Sequence, residues 1–434
     1  MRSLCVRLLG GLLLWVTTLY CPPARRRGAG GRAEGGGLHP ELAVFGFLDG
    51  ESAALAASVA RAAVLMPSFE LARKELERCG TKLGIKAVHR IACGLGRRLL
   101  VARSSDLRRY RAGLMPAGDE LAGKRVCAQL DGGRIRLRKP TRKQKGKGKH
   151  KTQRRRYKGE WREPKLLTIF VIGPDGRKAA KTRAWIDGTF AGPDEAMELL
   201  AMHLHRLGAA KAESVTFLAD GAPWIWERLS WVAKRVGLDP KKVTRTLDWC
   251  HALHHVGLAL AAAELPADEH RRVYKKMRKW LRKGKAAAVL TELEGLGAAK
   301  GEGALEAMRV PVAYLDKHLD AGRLEYGKRE KEGQPIGSGA IESAIRRVVN
   351  QRLKGNGLMW REENAEGMLA LRAAALTDRW EEAMERAQRS SCEDGHQDWH
   401  WRSPDMPFQL KEDWAIGPPK LQVEVNQGDR SIAA

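Results

Sequence analysis

Three acidic residues of this chain end or open segments in a way that chemistry could use. Asp131 closes Cys127-Ala-Gln-Leu-Asp-Gly-Gly, Asp220 closes Val215-Thr-Phe-Leu-Ala-Asp-Gly-Ala, and Glu342 lies in Gly337-Ser-Gly-Ala-Ile-Glu-Ser. The first two end apolar runs that read as strands, and the third opens a helix. Carboxylates so placed can share two divalent cations about 4 Å apart, which activate an attacking oxygen and stabilise the leaving oxygen of a phosphodiester. Mg²⁺, or Mn²⁺ in its place, needs few protein ligands and keeps water or phosphate in its other positions, so three carboxylates suffice. The three are far apart in sequence, and only a fold can gather them. Each also has a plainer reading. Asp-Gly is a common turn, repeated at Asp187-Gly188 as a strand end outside the set, and Glu342 is spaced to pair with Arg346 at i+4.

The elements that must position these residues follow from periodicity. Short apolar or β-branched runs predict strands at Arg125–Leu130, Leu166–Ile172, Thr182–Ile186, Ser214–Leu218 and Val243–Leu247. Helices are expected at Asp194–Leu207, Pro223–Val236 and Trp249–Ala263. Three strands, a helix, a strand, a helix, a strand and a helix is the order of an RNase H-like α/β core with a mixed sheet, over 121–265. Residues 266–334 carry helical periodicity without strand signal and read as an all-helical insertion. The core resumes over 335–385, where Ser338–Leu353 is its last helix, and 386–434 reads as an irregular tail.

Upstream, 1–40 is a short β and Gly/Arg-rich segment. Its first 21 residues have two readings: strands Leu4–Leu9 and Leu12–Tyr20 bent at Gly10-Gly11, or a signal-like leader with Arg2 and Arg7 before an apolar run. Residues 41–120 are predominantly helical. There Ser68 caps Phe69–Cys79, Gly80 ends that helix and Ile85–Leu95 follows, either as a helix-turn-helix in a DNA-binding domain or as a plain helical hairpin.

Charge points to the partner. The chain has 434 residues, and 78 Lys plus Arg against 51 Asp plus Glu give a formal net charge of +27. An excess of that size suits an anionic polymer. The loop 134–165 holds 16 Lys plus Arg against two Glu, about half of the excess, and would hang beside the carboxylates to neutralise phosphates. Within it Tyr157 and Trp161, set among Arg154, Arg155, Arg156, Lys158 and Arg162, are placed to stack on exposed bases. Arg346, Arg347, Arg352 and Lys354 follow Glu342 and would line the same path or simply face solvent. Seven scattered cysteines argue against a disulfide framework and fit a reducing cytoplasm. Beyond the N-terminal run no apolar stretch is long enough to span a bilayer, so no membrane association is expected.

Asp131-Gly-Gly, Trp161-Arg-Glu-Pro-Lys-Leu-Leu-Thr, Leu218-Ala-Asp-Gly-Ala-Pro-Trp-Ile-Trp, Asp248-Trp-Cys-His and the long block from Gly337 to Gly357 resemble bacterial insertion-sequence transposases of the ISKra type, relatives of the Mutator-like DDE transposases. The likeness covers roughly residues 40–385. It implies that Asp131, Asp220 and Glu342 are a DDE triad binding Mg²⁺ in an RNase H-like core, acting on terminal inverted repeats and target DNA. A homodimer or larger assembly on DNA, in the bacterial cytoplasm at the nucleoid, is implied too. By the same resemblance His251 sits near the phosphate or the non-transferred strand. Its own spacing leaves a structural hydrogen-bonding role open, and the i, i+4 pairs Cys250/His254 and His251/His255 leave a zinc reading open. The chain departs from these relatives at its start, where Cys21-Pro-Pro-Ala24 keeps one cysteine of a zinc-ribbon-like Cys-x-x-Cys. Two other functions stay in view: a non-catalytic, transposase-derived DNA-binding protein, and an RNase H-like nuclease.

Overall fold

The hydrophobic runs form paired strands in the computed structural model, which describes residues 1–22, 39–47, 50–140, 157–355 and 357–397. The chain divides into two compact units, Met1–Arg103 with Ala370–Ala434, and Ser104–Leu369.

In the first unit, β1 (Arg2–Arg7) and β2 (Leu13–Thr18) pair antiparallel. Gly10 and Gly11, with φ of +81° and +83°, turn the chain between them, a conformation other residues rarely adopt. Thus 1–21 takes the strand-pair form. Helices α1 (Pro40–Val44), α2 (Ala53–Leu65), α3 (Phe69–Arg78) and α4 (Ile85–Arg111) follow. Ser52 and Ser68 cap α2 and α3 by accepting from the amides three residues on. The second helix of the expected short pair runs to Arg111 instead of ending at Leu95. Gly94 and Gly96 weaken it by roughly 1 kcal/mol each. Its buried stripe Val88, Ile91, Ala92, Leu95, Leu99 and Ala102 keeps the helical period across them and outweighs that loss.

The second unit is built on a five-stranded sheet. Its strands are β3 (Arg125–Gly132), β6 (Lys165–Val171), β7 (Trp185–Thr189), β8 (Ser214–Ala219) and β9 (Val243–Leu247), and between β3 and β6 lies a separate antiparallel pair, β4 (Ile135–Pro140) with β5 (Tyr157–Arg162). The sheet order is β7-β6-β3-β8-β9, in which β3, β8 and β9 are parallel and β6 and β7 antiparallel to their neighbours. Helices α5 (Pro193–Arg206), α6 (Pro223–Trp226), α7 (Leu229–Val236) and α8 (Trp249–Ala262) alternate with its later strands. On one face Val126, Ala128, Leu130, Val215 and Phe217 pack with Leu200 and Leu204 of α5 in the main core. The other face carries Cys127, Leu218 and Phe170. Parallel strands covered on both faces explain why β3 and β8 read as nearly unbroken apolar runs.

Between β3 and α8, two boundaries differ from expectation by more than a residue or two. The third strand starts at Trp185, not Thr182, so Asp187 stands inside β7 and not at a strand end. It is 7% exposed, and its carboxylate bonds His203 at 2.8 Å and the Gly188 amide at 2.8 Å. The helix expected over Pro223–Val236 breaks into α6 and α7. Trp226 at the break turns its indole back to donate to the Asp220 carbonyl at 2.7 Å.

Beyond α8 the chain is helical as expected: α9 (Ala267–Arg282), α10 (Ala286–Lys300), α11 (Glu302–Asp320) and α12 (Tyr326–Lys331). These helices share the main core with α8 through Met277, Leu281, Val289, Leu293 and Leu315. Three bonds strap the segment to the end of β9: Leu247 N to Arg323 O, Tyr326 Oη to Leu247 O, and Trp249 N to Ile336 O. The expected single helix over Ser338–Leu353 is α13 (Gly339–Ala344) running into a π-helix, Ile345–Asn350. Helix α14 (Glu362–Leu376) precedes α15 (Trp380–Gln397), which carries helix into the region read as an irregular tail. The rest of that tail lies outside the described residues.

Candidate active site

Strand register assembles the acidic row. β3 and β8 pair in parallel through Leu130↔Ala219, so Asp131 and Asp220 occupy the next level side by side. β8 and β9 pair through Ala219↔Leu247, which puts Asp248 at that level too. Neighbouring strands lie about 4.8 Å apart, so three aspartates cross the carboxyl edge of three parallel strands, where α/β sheets place their ligand sites. The Asp248 amide donates to the Ala219 carbonyl at 2.8 Å and continues the ladder to that level.

Glu342 reaches this edge through α13. The period-two pleat turns Gln129 and Asp131 to the face opposite the main core. There Gln129, 1% exposed, accepts from the Ile341 amide at 2.9 Å and donates to the Gly337 carbonyl at 3.3 Å. One side chain two residues before Asp131 therefore fixes the turn that carries Glu342. Ser338 then donates to a Glu342 carboxylate oxygen at 2.6 Å, and this bond takes the place of the Arg346 pairing that the spacing allowed.

Asp248 organises the site without facing solvent. It accepts from the Ser338 amide at 2.6 Å on one oxygen, and from the His251 amide and imidazole Nδ1, both at 2.9 Å, on the other. Burial alone would raise its carboxyl, but these hydrogen bonds outweigh burial and hold it below the usual carboxylate range. The bond to Asp248 in turn raises the His251 imidazole, despite partial burial, and the charges of Asp220 and Asp131 add to the effect. His251 is 42% exposed on the side chain and stands next to the acidic row, where Asp248 favours its protonated form.

The Asp131 carboxyl is pushed up to about 6, first by burial, against the Gly132 amide that favours its ionised form, and further by the charges of Asp220 and Glu342. Asp131, Asp220 and Glu342 each commit one oxygen to a local hydrogen bond, from Gly132, Ala222 and Ser338. A set of hard carboxylate oxygens whose charges meet at one edge fits a divalent cation such as Mg²⁺ or Mn²⁺. Among the described residues, no group of three or more His, Cys, Asp or Glu side chains is arranged so that it could hold a metal ion. Of the His251/His255 pair, His251 bonds Asp248, and the His255 ring stacks on Tyr314 at 3.5 Å between centroids.

The described ends of the basic loop pair antiparallel as β4 and β5. Along β4, Ile135 and Leu137 are buried while Arg134, Arg136 and Arg138 are exposed. The pairing puts Trp161 opposite Arg136 and Tyr157 opposite Pro140, so both aromatics share the arginine face. Arg134 and Arg136 lie over the Trp161 ring at 5.2 and 5.6 Å, and Arg138 over Tyr157 at 3.9 Å. No carboxylate pairs with these three arginines among the described residues. Lys158 is exposed on the opposite face, so it does not join Trp161 as expected. Arg154, Arg155 and Arg156 lie outside the described residues. Arg346, Arg347 and Lys354 are exposed. Arg352, expected on the surface, is instead 2% exposed and packed on the Trp360 ring at 5.1 Å.

Sequence reasoning missed Gln129 and Ser338, whose polar side chains inside or beside an apolar run were the available signal. It also passed over the arginines of β4, although their alternation with Ile135 and Leu137 is a strand pattern. We expect Arg134→Gln, Arg136→Gln and Arg138→Gln combined to weaken binding to all DNA sequences alike. The slope of log affinity against log salt should flatten by roughly 0.9 for each phosphate that the variant no longer neutralises. Anisotropy titrations at several salt concentrations measure this, and an unchanged slope would exclude the face as a DNA-binding surface. Among the described residues, no helix is long and apolar enough to cross a membrane. Comparison of the chain with protein-family models, curated proteins and solved structures finds no match.

Proposed function

We propose that the chain is a DDE-type DNA transposase of the ISKra kind. In this reading it cuts the strand at the ends of an insertion sequence and joins the freed 3′-hydroxyl to target DNA. The observation that carries the reading is the shared level of Asp131 and Asp220 on adjacent parallel strands, with Glu342 delivered to the same edge by α13. The order of strands and helices from β3 to α8, with the β4–β5 pair set aside, is that expected of an RNase H-like core, which supports it further.

Asp131, Asp220 and Glu342 would hold the Mg²⁺ or Mn²⁺ ions, which when bound supply Lewis-acid activation of the phosphodiester. Burial of Asp131 and Asp248 lowers the local dielectric and strengthens charge interactions at the edge. His251, oriented by Asp248, which favours its protonated form, would meet a phosphate oxygen through Nε2. The arginine face of the β4–β5 pair binds the DNA backbone, and Trp161 and Tyr157 offer surfaces for unstacked bases.

The test is a cleavage and joining assay with DNA carrying the inverted repeats that flank the coding region. Mg²⁺-dependent nicking at the repeat ends followed by joining to a target plasmid is the expected result. Cleavage without joining would identify a nuclease, and binding without either reaction a non-catalytic DNA-binding protein.

A further inference from the structure

The turn after β8 is clamped from the helical insertion. Tyr314, on α11, sets its phenol oxygen against Gly221, directly beyond Asp220. Gly221 does not have a positive φ, so glycine is not needed there for the turn itself. It is needed for space: a Cβ at 221 would overlap the Tyr314 hydroxyl and ring. The Tyr314 ring is fixed in turn, stacked on His255 of α8 at 3.5 Å and 7° and tilted against His318 at 4.7 Å. His318 is 1% exposed, and burial first, then the neighbouring Arg323, bring its pKa down to about 4, so this aromatic column is uncharged. From the other side Trp226 holds the Asp220 carbonyl, and the Ala222 amide donates to one Asp220 carboxylate oxygen at 3.0 Å.

We propose that Tyr314 is a positioning residue for Asp220, so that the helical insertion completes the cation-binding edge of the sheet. The inference rests on the reading that Asp131, Asp220 and Glu342 bind a divalent cation. A pendant insertion would leave α11 interchangeable, whereas here its phenol meets the backbone next to a proposed ligand.

The experiment compares Tyr314→Phe, which keeps the stack on His255 and removes the hydroxyl, with the unaltered full-length protein. Mn²⁺ binding is measured by calorimetry without DNA, and amide hydrogen exchange is followed over 219–226. We expect about tenfold weaker Mn²⁺ binding and faster exchange at the 221 turn, with unchanged exchange in β3 and β9. Unchanged affinity together with unchanged exchange would overturn the proposal and leave Tyr314 a packing residue. Should Tyr314→Phe unfold early, Gly221→Ala displaces the same hydroxyl from the opposite side and is judged by the same two outcomes. Asp220→Asn separates this inference from the reading beneath it. If Asp220→Asn binds Mn²⁺ normally, the metal site itself is wrong. If Asp220→Asn loses the ion while Tyr314→Phe does not, only the role of Tyr314 fails.

Discussion

Asp131→Asn, Asp220→Asn or Glu342→Gln, made singly, is expected to lower end cleavage and strand transfer at least about a thousandfold, which corresponds to about 4 kcal/mol of barrier. DNA binding should persist, because the amide keeps the shape and removes only the charge that holds the cation. The losses should not add in double variants, since one missing ligand already disables a shared ion pair. Asp187→Asn, the natural control by sequence, is unsuitable: its carboxylate is buried against His203, and disturbing a buried hydrogen bond costs about 1–3 kcal/mol. Asp119→Asn serves instead, because Asp119 is 73% exposed in a surface pair with Lys211 and should leave stability and rate nearly unchanged. Near-normal cleavage by any triad variant, measured on the same DNA, would show that these carboxylates are not the catalytic set.

Asp248→Ala is expected to damage both fold and site. It removes the acceptor for two amides and an imidazole, and it strips α8 of its N-cap. Buried donors left unpaired cost about 1–3 kcal/mol each, so roughly 3 kcal/mol of stability should disappear in chemical denaturation. Activity should fall with it even under conditions where the variant stays folded, because Ser338 no longer holds Glu342 and His251 no longer has an orienting partner. His251→Ala, by contrast, should slow the reaction and cost less stability than Asp248→Ala, about 1 kcal/mol, since it removes one hydrogen bond to Asp248 and leaves both amide donors paired. An Asp248→Ala protein as stable as the parent would show that the Asp248 hydrogen bonds do not hold the 337–342 turn.

The strands and helices of the sheet region were legible in the sequence because their hydrophobic period is local. β9 is met at its expected ends, and β3, β6, β8, α5 and α8 within a residue or two. The different start of β7 has the same cause in reverse. Asp187 and Gly188 look like a turn, and only the His203 partner, brought from α5 by tertiary packing, makes a buried aspartate acceptable in a strand. Arg352 escapes a local reading for a similar reason. A charged side chain in a basic segment reads as solvent-facing, and nothing nearby in the chain reveals the Trp360 ring that covers it.

The candidate site divides along the same line. Which carboxylates end apolar runs, how positive charge concentrates in 134–165, and how helical 266–334 is are all properties of neighbouring residues, and each is written in the chain. The common level of Asp131, Asp220 and Asp248 is not. That alignment comes from the register of parallel strands whose pairing partners are far apart in the chain. Long-range packing likewise saturates Asp248 with hydrogen bonds while leaving Asp131 with a raised carboxyl, sets Gln129 under α13, and brings Tyr314 to Gly221. Hydrophobic period resides in consecutive residues, whereas hydrogen-bond partners and desolvation depend on what the fold brings near, and a linear reading has no access to them.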